Sequence, residues 1–479
     1  MASESPNTES QKPKSLDDLK RTVQSAVTPS YCYGTLPLSP SDGSLFFKKD
    51  EGSDARYINF GALDFKDEDI LKLVEVSQRA TFGRGDKDVL DESYRKAWKL
   101  DTTQFSTQFD VVRSGVLEIV HDQLLHYEKN TLPLEAELYK LNVYGPGSFF
   151  KPHIDTPRSD KLFATLVVVL PTVHTGGNLL LGKDGSILNF DSAKLVYAKE
   201  NKEPQIAWAA FYSDIEHQVL PVEDGYRVTL TYNLHLPEAD KAQGVPKGLA
   251  FDSCTAVVSA LSTFIATPTI LPTGGALGFG LMYKYPIDPT KADLTKFTGA
   301  LKGNDAMIRD ACLSVGLTVA VKVLYYERDR YLNGSDAWIT DDVKTDDDIG
   351  WDTESSLRSR FRDVGKRVIT TDIESKSKSE RKIPTVWVTP PNRLLTTNLA
   401  FATYGNEPSV GYMYGDLVLI ATLPAYKERI HAMLESLGDK VDTTSLREKA
   451  QKVLEEMEED EDESDDEDED MDSDSDGYY

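Results

Sequence analysis

The stretch that decides the fold is Leu141-Asn-Val-Tyr-Gly-Pro-Gly-Ser-Phe-Phe-Lys-Pro-His-Ile-Asp155, which passes through a Gly-Pro-Gly turn and ends in His-x-Asp. It continues an alternating segment from residue 137, and such alternation predicts a β-strand. The Gly-Pro-Gly sequence suits a tight reversal of the chain. In an extended segment the side chains of residues i and i+2 point to the same side. His153 and Asp155 can therefore converge on one ion.

The segments that follow this stretch also read as short strands. Residues 161–170 form a β-branched-rich apolar run, and further strands are predicted at 178–181, 187–190, 206–212 and 226–236, with Gly-Gly and Asp-Gly turns between them. Apolar residues recur at helical spacing in 69–74 and 111–125, which predicts two amphipathic helices. Many short strands with frequent turns indicate an antiparallel sandwich or barrel with helices packed before it.

A second segment begins near residue 250. Helices are predicted at 304–313 and 426–437, and strands at 317–326, 368–371, 385–388 and 416–422. No histidine occurs from residue 236 to 430. We therefore expect residues 250–440 to form a metal-free α+β unit or a degenerate barrel. Residues 1–40 are predicted to be a disordered leader, 41–240 the first domain, and 441–479 a helix followed by a disordered acidic tail.

Composition narrows the functional classes. The chain has 479 residues, of which 40% are hydrophobic and 28% charged, as in ordinary globular proteins. No stretch is apolar enough to span a membrane or serve as a signal peptide, so we expect a cytoplasmic or nuclear protein that is not secreted. The three cysteines lie far apart and match neither a disulfide framework nor a zinc pattern, so they are interpreted as buried thiols.

The net charge of −26 is concentrated near the C-terminus, where residues 455–476 carry 17 acidic residues and no basic one. Without this tail the charge is −9, so the body lacks the basic stripe that nucleic-acid binding requires. Nucleic acid is therefore an unlikely partner. The tail is interpreted as a solubilising segment, with a basic protein partner as the alternative.

Further candidate site residues follow along the chain. His217 begins a later strand, and Arg227 and Thr229 alternate onto one face of the strand after that. Two imidazoles and one carboxylate with open positions suit Fe(II). A guanidinium beside the metal can take a carboxylate through two parallel hydrogen bonds.

Each of these residues has a simpler interpretation. The histidines could be ordinary hydrogen-bonded residues, and Arg227 could form a salt bridge with Glu223 or Asp224. Thr229 and Tyr144 could serve packing alone. The five remaining histidines have no partner at ligand spacing and are interpreted as structural or surface residues: His121, His126, His174, His235 and His431.

In order and spacing, these motifs resemble the Fe(II)/2-oxoglutarate-dependent dioxygenases of the prolyl 4-hydroxylase-like branch, in particular uncharacterised fungal and microbial members. The resemblance covers about residues 60–240 and includes the Gly-Gly turn at 176–177. It implies a double-stranded β-helix, or jelly roll, with supporting helices, and hence an α+β chain. It also implies that His153, Asp155 and His217 bind Fe(II), that Arg227 binds 2-oxoglutarate, and that Tyr144 lines the cosubstrate pocket.

The implied activity is hydroxylation of a substrate C–H bond with dioxygen and 2-oxoglutarate, with ascorbate as an accessory reductant. A protein side chain such as proline is one implied substrate. Two departures from the family pattern weaken the expectation of a prolyl substrate. Arg227 stands where the family often has lysine, and Phe150 stands where it has tyrosine. The alternatives are a catalytically silent iron and 2-oxoglutarate sensor and, less favoured, a nucleic-acid demethylase.

Overall fold

The computed structural model describes the following residues: 14–62, 66–84, 87–125, 134–155, 162–182, 187–196, 203–235, 252–285, 294–326, 337–343, 361, 365–370, 382–391, 414–437 and 448. Two units divide the chain. Unit I comprises residues 28–248 and 283–287, and unit II comprises residues 1–27, 249–282 and 288–479. The described parts of each unit are treated separately below.

Short strands dominate unit I. The strands are β1 (Tyr31–Pro37), β2 (Ser44–Phe47), β3 (Arg56–Asn59), β4 (Gln78–Arg79), β5 (Phe82–Arg84), β6 (Lys87–Val89), β7 (Arg95–Lys96), β8 (Trp98–Asp101), β9 (Phe105–Thr107), β10 (Glu135–Tyr144), β11 (Phe149–His153), β12 (Leu162–Val169), β13 (His174–Gly176), β14 (Leu179–Leu181), β15 (Leu188–Phe190), β16 (Gln205–Tyr212), β17 (His217–Val219), β18 (Val222–Gly225) and β19 (Arg227–His235). Helices are numbered along the whole chain, and those of unit I are α2 (Asp67–Val76), α3 (Val116–Leu124) and α4 (Ser192–Val196).

Two antiparallel sheets organise these strands. The larger sheet has the order β1-β16-β12-β19-β10-β8-β4, and the smaller has the order β15-β14-β17-β11-β7. Residues from both sheets, such as Phe211 of β16 and Leu181 of β14, belong to one buried core. Smaller sheets join β13 to β18, β5 to β6, and β3 to β2 and β9. The many-stranded α+β character predicted from the sequence is confirmed for unit I.

Strand β12 shows why the sequence at 161–170 is continuously apolar. Leu166 and Val168 pack into the core that also contains the buried faces of α2 and α3. Val167 and Val169 point to the other side, into the core shared with the smaller sheet. Because both faces of this strand are covered, no position on it favours a polar side chain for solvent contact.

The two helices before the sheet differ from their predicted bounds. Helix α2 buries Ile70, Leu73 and Val76, and it begins with an acidic first turn that suits the positive end of the helix dipole. The predicted helix at 69–74 is thus confirmed and extended. Helix α3 begins only after Gly115, which has a φ of 79°, whereas the prediction placed its start at residue 111. A left-handed residue cannot continue a right-handed helix, so the preceding residues form turns.

Unit II contains a closed barrel and five helices among its described residues. Its helices are α1 (Lys14–Ser25), α5 (Asp252–Ile265), α6 (Leu294–Gly299), α7 (Gly303–Ser314) and α8 (Tyr426–Leu437). The strands are β20 (Gly275–Gly280), β21 (Thr318–Tyr326), β22 (Ala337–Thr340), β23 (Lys366–Thr370), β24 (Lys382–Thr389) and β25 (Tyr414–Leu423), which close in the order β20-β24-β23-β22-β21-β25. Strand β24 pairs in parallel with both of its neighbours, and the other pairs are antiparallel.

The structure corrects the prediction of a disordered leader at 1–40 for residues 14–40, which include helix α1 and strand β1, whereas residues 1–13 lie outside the described ranges. Helix α1 buries Leu16, Leu19 and Val23, whose spacing places them on one helical face. The side-chain amide of Asn304 donates to the carbonyl oxygen of Ala26 at 2.8 Å, which also fixes the end of this segment in unit II. The polar composition of the first residues concealed this short apolar stripe.

Other sequence predictions fall outside the described residues. The acidic segment 455–476 is one of them, so its predicted disorder and its basic partner stay predictions. No helix among the described residues has both the length and the apolar character needed to cross a membrane.

Candidate active site

A cavity of about 570 Å³ lies within unit I. Its lining comes from both antiparallel sheets. The site residues predicted from the sequence all belong to it: Tyr144, His153, Asp155, His217, Arg227 and Thr229. The fold therefore brings together residues that the sequence separates by many tens of positions.

Three of these side chains converge at one place. His153 ends β11, His217 begins the adjacent β17, and the two are direct cross-strand partners. Their ring centroids are 4.1 Å apart, and the Nε2 atom of His217 lies 3.7 Å from Oδ1 of Asp155. One ligand atom from each residue falls within 4.8 Å of the others, so the three donors can reach one metal ion.

Backbone hydrogen bonds determine which imidazole nitrogens face the ion. Nδ1 of His153 lies 2.9 Å from the carbonyl oxygen of Lys151, and Nδ1 of His217 lies 2.9 Å from that of Ile215. A carbonyl oxygen can only accept, so each Nδ1 carries the proton and donates it. In the neutral ring Nε2 then has a free lone pair that can bind a metal, and the hydrogen bond from Nδ1 to the carbonyl oxygen fixes the ring orientation.

The carboxylate is oriented by a residue that the sequence analysis did not single out. The hydroxyl of Thr165, a buried residue on β12, donates to Oδ2 of Asp155 at 2.7 Å. This bond leaves Oδ1, the atom closer to His217, for a metal. The position of Thr165 in the sequence does not predict this role, because Thr165 and Asp155 come into contact only in the folded chain.

Aromatic rings surround the two imidazoles. The ring of Phe150 stacks on His153 with centroids 3.5 Å apart, and Phe211 lies 4.7 Å from His217. Burial, the largest cause, and the neighbouring His217 together lower the pKa of His153 to about 3, although Asp155 opposes the shift. His153 is therefore neutral at physiological pH, which is the state in which imidazole binds metals.

Arg227 is a buried cation in the lining of the cavity. It is 1% exposed, and its Nε donates to the Ser192 hydroxyl oxygen at 3.3 Å, while Nη2 has no hydrogen-bond partner among the described residues. Burial lowers its pKa to about 10, so the guanidinium stays charged near neutral pH. The expected alternative, a salt bridge with Glu223 or Asp224, does not occur within the described part of the chain.

The surroundings of Arg227 explain two sequence features. Tyr144 is its cross-strand partner, and the tyrosine ring centroid lies 5.7 Å from the guanidinium carbon. Gly177 has a φ of 69°, and a Cβ there would lie 3.1 Å from Cδ of Arg227 and 2.8 Å from Cγ2 of Val222. The Gly-Gly turn thus leaves the space that the arginine side chain occupies. Thr229 is also buried and follows Arg227 on the same strand face.

The cavity contains a second buried arginine that the sequence analysis missed. Arg95 donates from Nη1 to the Thr81 carbonyl at 2.7 Å and from Nη2 to Oδ1 of Asn142 at 2.9 Å. The Asn142 amide in turn donates to the Thr231 hydroxyl at 3.2 Å. Arg95 lies on a strand of two residues, which gives no periodicity from which its direction could have been predicted.

The donor set fits a redox-active divalent metal. Two neutral imidazole nitrogens and one carboxylate oxygen on one side of an ion leave the opposite positions open, which is the arrangement typical of non-haem Fe(II) oxygenases. The buried, partly unbonded guanidinium of Arg227 lines the same cavity and offers a charged partner to a carboxylate.

A sequence-family model and several solved structures are similar to parts of this chain. Residues 139–235 match the sequence model described as the 2OG-Fe(II) oxygenase superfamily. No curated protein sequence matches the chain significantly. Similar solved structures include a Pseudomonas putida prolyl-4-hydroxylase, with 18% identity over 46% of this chain and 99% of that one and a TM-score of 0.27. Another is a Trichoplax adhaerens prolyl hydroxylase in complex with a hypoxia inducible factor peptide, with 14% identity over 47% and 94% of the two chains and a TM-score of 0.27.

The matched residues begin in β10 and end with β19, so they contain the histidine pair, Asp155 and Arg227. The resemblance predicted from the sequence is thereby confirmed, since residues 139–235 match the model of the 2OG-Fe(II) oxygenase superfamily.

Proposed function

We propose that this protein is an Fe(II)- and 2-oxoglutarate-dependent dioxygenase that hydroxylates a C–H bond of its substrate. The observation that carries the proposal is the convergence of His153, Asp155 and His217 in the same cavity as the buried cation of Arg227. In this proposal Nε2 of each histidine and Oδ1 of Asp155 hold Fe(II). Together, Fe(II) and 2-oxoglutarate supply dioxygen activation, with one oxygen atom entering the substrate and the other succinate.

The role proposed for Arg227 follows from its charge. A buried guanidinium without a carboxylate partner is unfavourable, and an incoming carboxylate removes this cost through charged hydrogen bonds. The distal carboxylate of 2-oxoglutarate is the group we assign to it. The Thr229 hydroxyl lines the same cavity and is proposed as a further donor, and Tyr144 as a wall of the cosubstrate pocket.

The remaining residues orient the ligands and exclude water. Thr165 holds Oδ2 of Asp155, so that the carboxylate presents one oxygen to the metal. Phe150 and Phe211 cover the imidazole rings and lower the local dielectric, which strengthens the electrostatic interactions in the site. We also propose that unit I is a double-stranded β-helix, which is supported by its two antiparallel sheets with a shared core.

The substrate class is the finer part of the proposal. The family resemblance makes a prolyl side chain the first substrate to test. Phe150 and Arg227 differ from the residues that the family often has at these positions, and this difference weakens the case for proline. The retained carboxylate of Asp155 favours hydroxylation, because halogenating relatives have a small residue at that position.

The test begins with 2-oxoglutarate turnover in the absence of a primary substrate. Full-length protein is loaded anaerobically with Fe(II), then exposed to dioxygen with and without ascorbate, and succinate is measured. We expect slow succinate formation that Asp155→Asn abolishes. The matched control is Asp88→Asn, which changes an exposed carboxylate of the cavity lining outside the metal triad and should leave turnover near the wild-type rate.

Two outcomes would contradict the proposal. Tight binding of Fe(II) and 2-oxoglutarate without any succinate would favour the silent sensor instead. Absence of iron binding by the wild-type protein would exclude both functions. If turnover is found, mass spectrometry of captured peptides for products heavier by one oxygen atom would then identify the substrate.

A further inference from the structure

A third histidine, His174, lies behind Arg227 and was interpreted from the sequence as structural or surface. It begins β13 and is 6% exposed. Its Nδ1 lies 2.8 Å from the Thr172 carbonyl oxygen, and its Nε2 lies 3.2 Å from the Ser192 hydroxyl oxygen. The same hydroxyl oxygen accepts the Nε–H of Arg227 at 3.3 Å. Ser192 therefore bridges the histidine and the arginine.

The chemistry of the three groups gives each hydrogen bond a direction. The Thr172 carbonyl can only accept, so His174 carries its proton on Nδ1. In the neutral ring Nε2 is then an acceptor, and the Ser192 hydroxyl donates to it. This leaves a lone pair of the Ser192 oxygen for the Nε–H of Arg227, which can only donate.

The neutral state of His174 is favoured by its surroundings. Burial, the largest cause, and the charge of Arg227 together lower its pKa to about 4, while the hydrogen bond to Thr172 and the charge of Asp191 oppose the shift. A proton on Nε2 would also remove the acceptor that the Ser192 hydroxyl uses. The donor and the acceptor of each of these hydrogen bonds therefore stay the same over the neutral pH range.

We propose that His174 and Ser192 are positioning residues that orient the Arg227 guanidinium for the distal carboxylate of 2-oxoglutarate. The inference rests on the proposed function. Ser192 uses the Nε–H of Arg227, so the Nη groups are the ones left for a ligand, and Nη2 has no partner within the part of the chain that the structure describes. Two parallel hydrogen bonds to a carboxylate require a defined guanidinium plane, which a bond at Nε restrains.

A purely structural role for His174 is the competing explanation. In that case its important bond is the one from Nδ1 to Thr172, which ties down the segment before β13. Two substitutions separate the roles. His174→Asn places an amide N–H near the Nδ1 position and keeps the bond to Thr172. His174→Gln places an amide oxygen near the Nε2 position and keeps an acceptor for Ser192.

The experiment measures 2-oxoglutarate binding rather than turnover. Full-length protein loaded with Mn(II) is titrated calorimetrically with 2-oxoglutarate, and the Mn(II) affinity is measured separately. We expect His174→Asn and Ser192→Ala each to weaken 2-oxoglutarate binding about tenfold, with His174→Gln within about threefold of wild type. Mn(II) affinity should not change, because none of these residues contacts the metal triad.

The double variant gives a second criterion. If His174 acts through Ser192, then His174→Asn combined with Ser192→Ala should bind 2-oxoglutarate about as well as either single variant, because the effects of residues in one network do not add. If the double variant lost 2-oxoglutarate affinity by the product of the two single-variant factors, the proposal would be overturned. The proposal would also be overturned if His174→Asn bound 2-oxoglutarate as tightly as wild type. The same holds if His174→Gln bound it as weakly as His174→Asn.

A readout on the free protein keeps this test separate from the proposed function. The Arg227 Nε–H can be followed by ¹⁵N NMR and assigned with Arg227→Lys. Its signal should exchange slowly with water in the wild type and in His174→Gln, and faster in His174→Asn. If wild type fails to bind 2-oxoglutarate, the proposed function fails. If it binds but neither the affinity nor the NMR signal responds to His174→Asn, only this inference fails.

Discussion

His153 and His217 face each other as direct partners on the antiparallel strands β11 and β17, with ring centroids 4.1 Å apart. The pairing register of these two strands therefore fixes the distance between the imidazoles. A slip of one residue would turn one ring to the opposite face of the sheet. The site thus depends on strand pairing rather than on a flexible loop, except for Asp155, which follows the end of β11.

Replacement of His217 by alanine should abolish iron binding and succinate formation while the protein stays folded. Two remaining ligands hold Fe(II) poorly, and loss of the ring enlarges an existing cavity without removing the backbone pairing of β17 with β11 and β14. Metal analysis and circular dichroism are the measurements. His235→Ala is the control, because His235 lies at the far end of β19 beside Glu137. Retention of half the wild-type turnover at saturating iron would contradict the assignment.

Replacement of Thr165 by valine should weaken metal binding by about 10- to 100-fold, the usual effect of losing a hydrogen bond that orients a metal ligand. The change keeps the shape of the side chain but removes the hydroxyl that donates to Asp155. Affinity can be measured by competition of Mn(II) with a chelator. Thr231→Val removes a cavity hydroxyl that contacts Asn142 instead, so it should leave the metal affinity unchanged. Equal affinities for both variants would refute the role of Thr165.

Replacement of Arg227 by alanine should raise the KM for 2-oxoglutarate by one to three decades, because charged hydrogen bonds contribute about 1.5–3 kcal/mol each. Iron affinity should stay near wild type. Arg227→Lys keeps the charge but loses the fork of donors, so a smaller increase is expected. Steady-state kinetics at saturating iron give the values. An alanine variant within twofold of the wild-type KM would make Arg227 a structural residue.

The sequence predicted those parts of the site that follow local rules. The i, i+2 spacing of His153 and Asp155 and the strand alternation of Arg227 and Thr229 are local, and the structure brings these residues into one cavity. Ser192 and His174 could not be found in this way, because they meet Arg227 only after three separate segments have folded together.

The same distinction applies to the fold. Strands with strong apolar patterns, such as β12, were predicted because their burial is visible in the local sequence. Helix α1 was missed because three apolar residues within a polar segment give a weak signal, and their burial depends on partners distant in sequence. Strand β22 likewise lies in a polar, charged region and is defined by pairing with β21 and β23.

His174 should make the metal-free protein less stable in acid. Its folded pKa of about 4 lies below the ordinary value of 6.5, so the unfolded state takes up the proton first as the pH falls. This contribution to stability is complete above pH 6.5 and is lost as the pH falls towards 4, at about 2 kcal/mol between pH 6.5 and 5. His174→Gln should lose correspondingly less stability over that interval.

Urea unfolding in the presence of a chelator, followed at both pH values, measures this difference. His235→Gln is the control, because it makes the same substitution at a histidine that lies beside Glu137 instead of Ser192. Identical pH dependence of wild type and His174→Gln would show that His174 does not titrate as a buried neutral group.

The last prediction is that each chain binds a single iron ion. A chain with two strand-rich units could carry a metal in each, but no histidine lies between residues 236 and 430. Within the described ranges, the group of side chains able to hold a metal ion is His153, Asp155 and His217. The cysteines of unit II are buried, and burial raises the pKa of both thiols, to about 12 for Cys254, so neither offers the thiolate that metals bind. Carboxylates alone would favour harder ions than redox-active iron.

Anaerobic titration with Fe(II) followed by metal analysis of the desalted protein should give one iron per chain in the wild type and none in His153→Ala/His217→Ala. Two irons in the wild type, or one in the double variant, would show that ligands outside this triad hold iron.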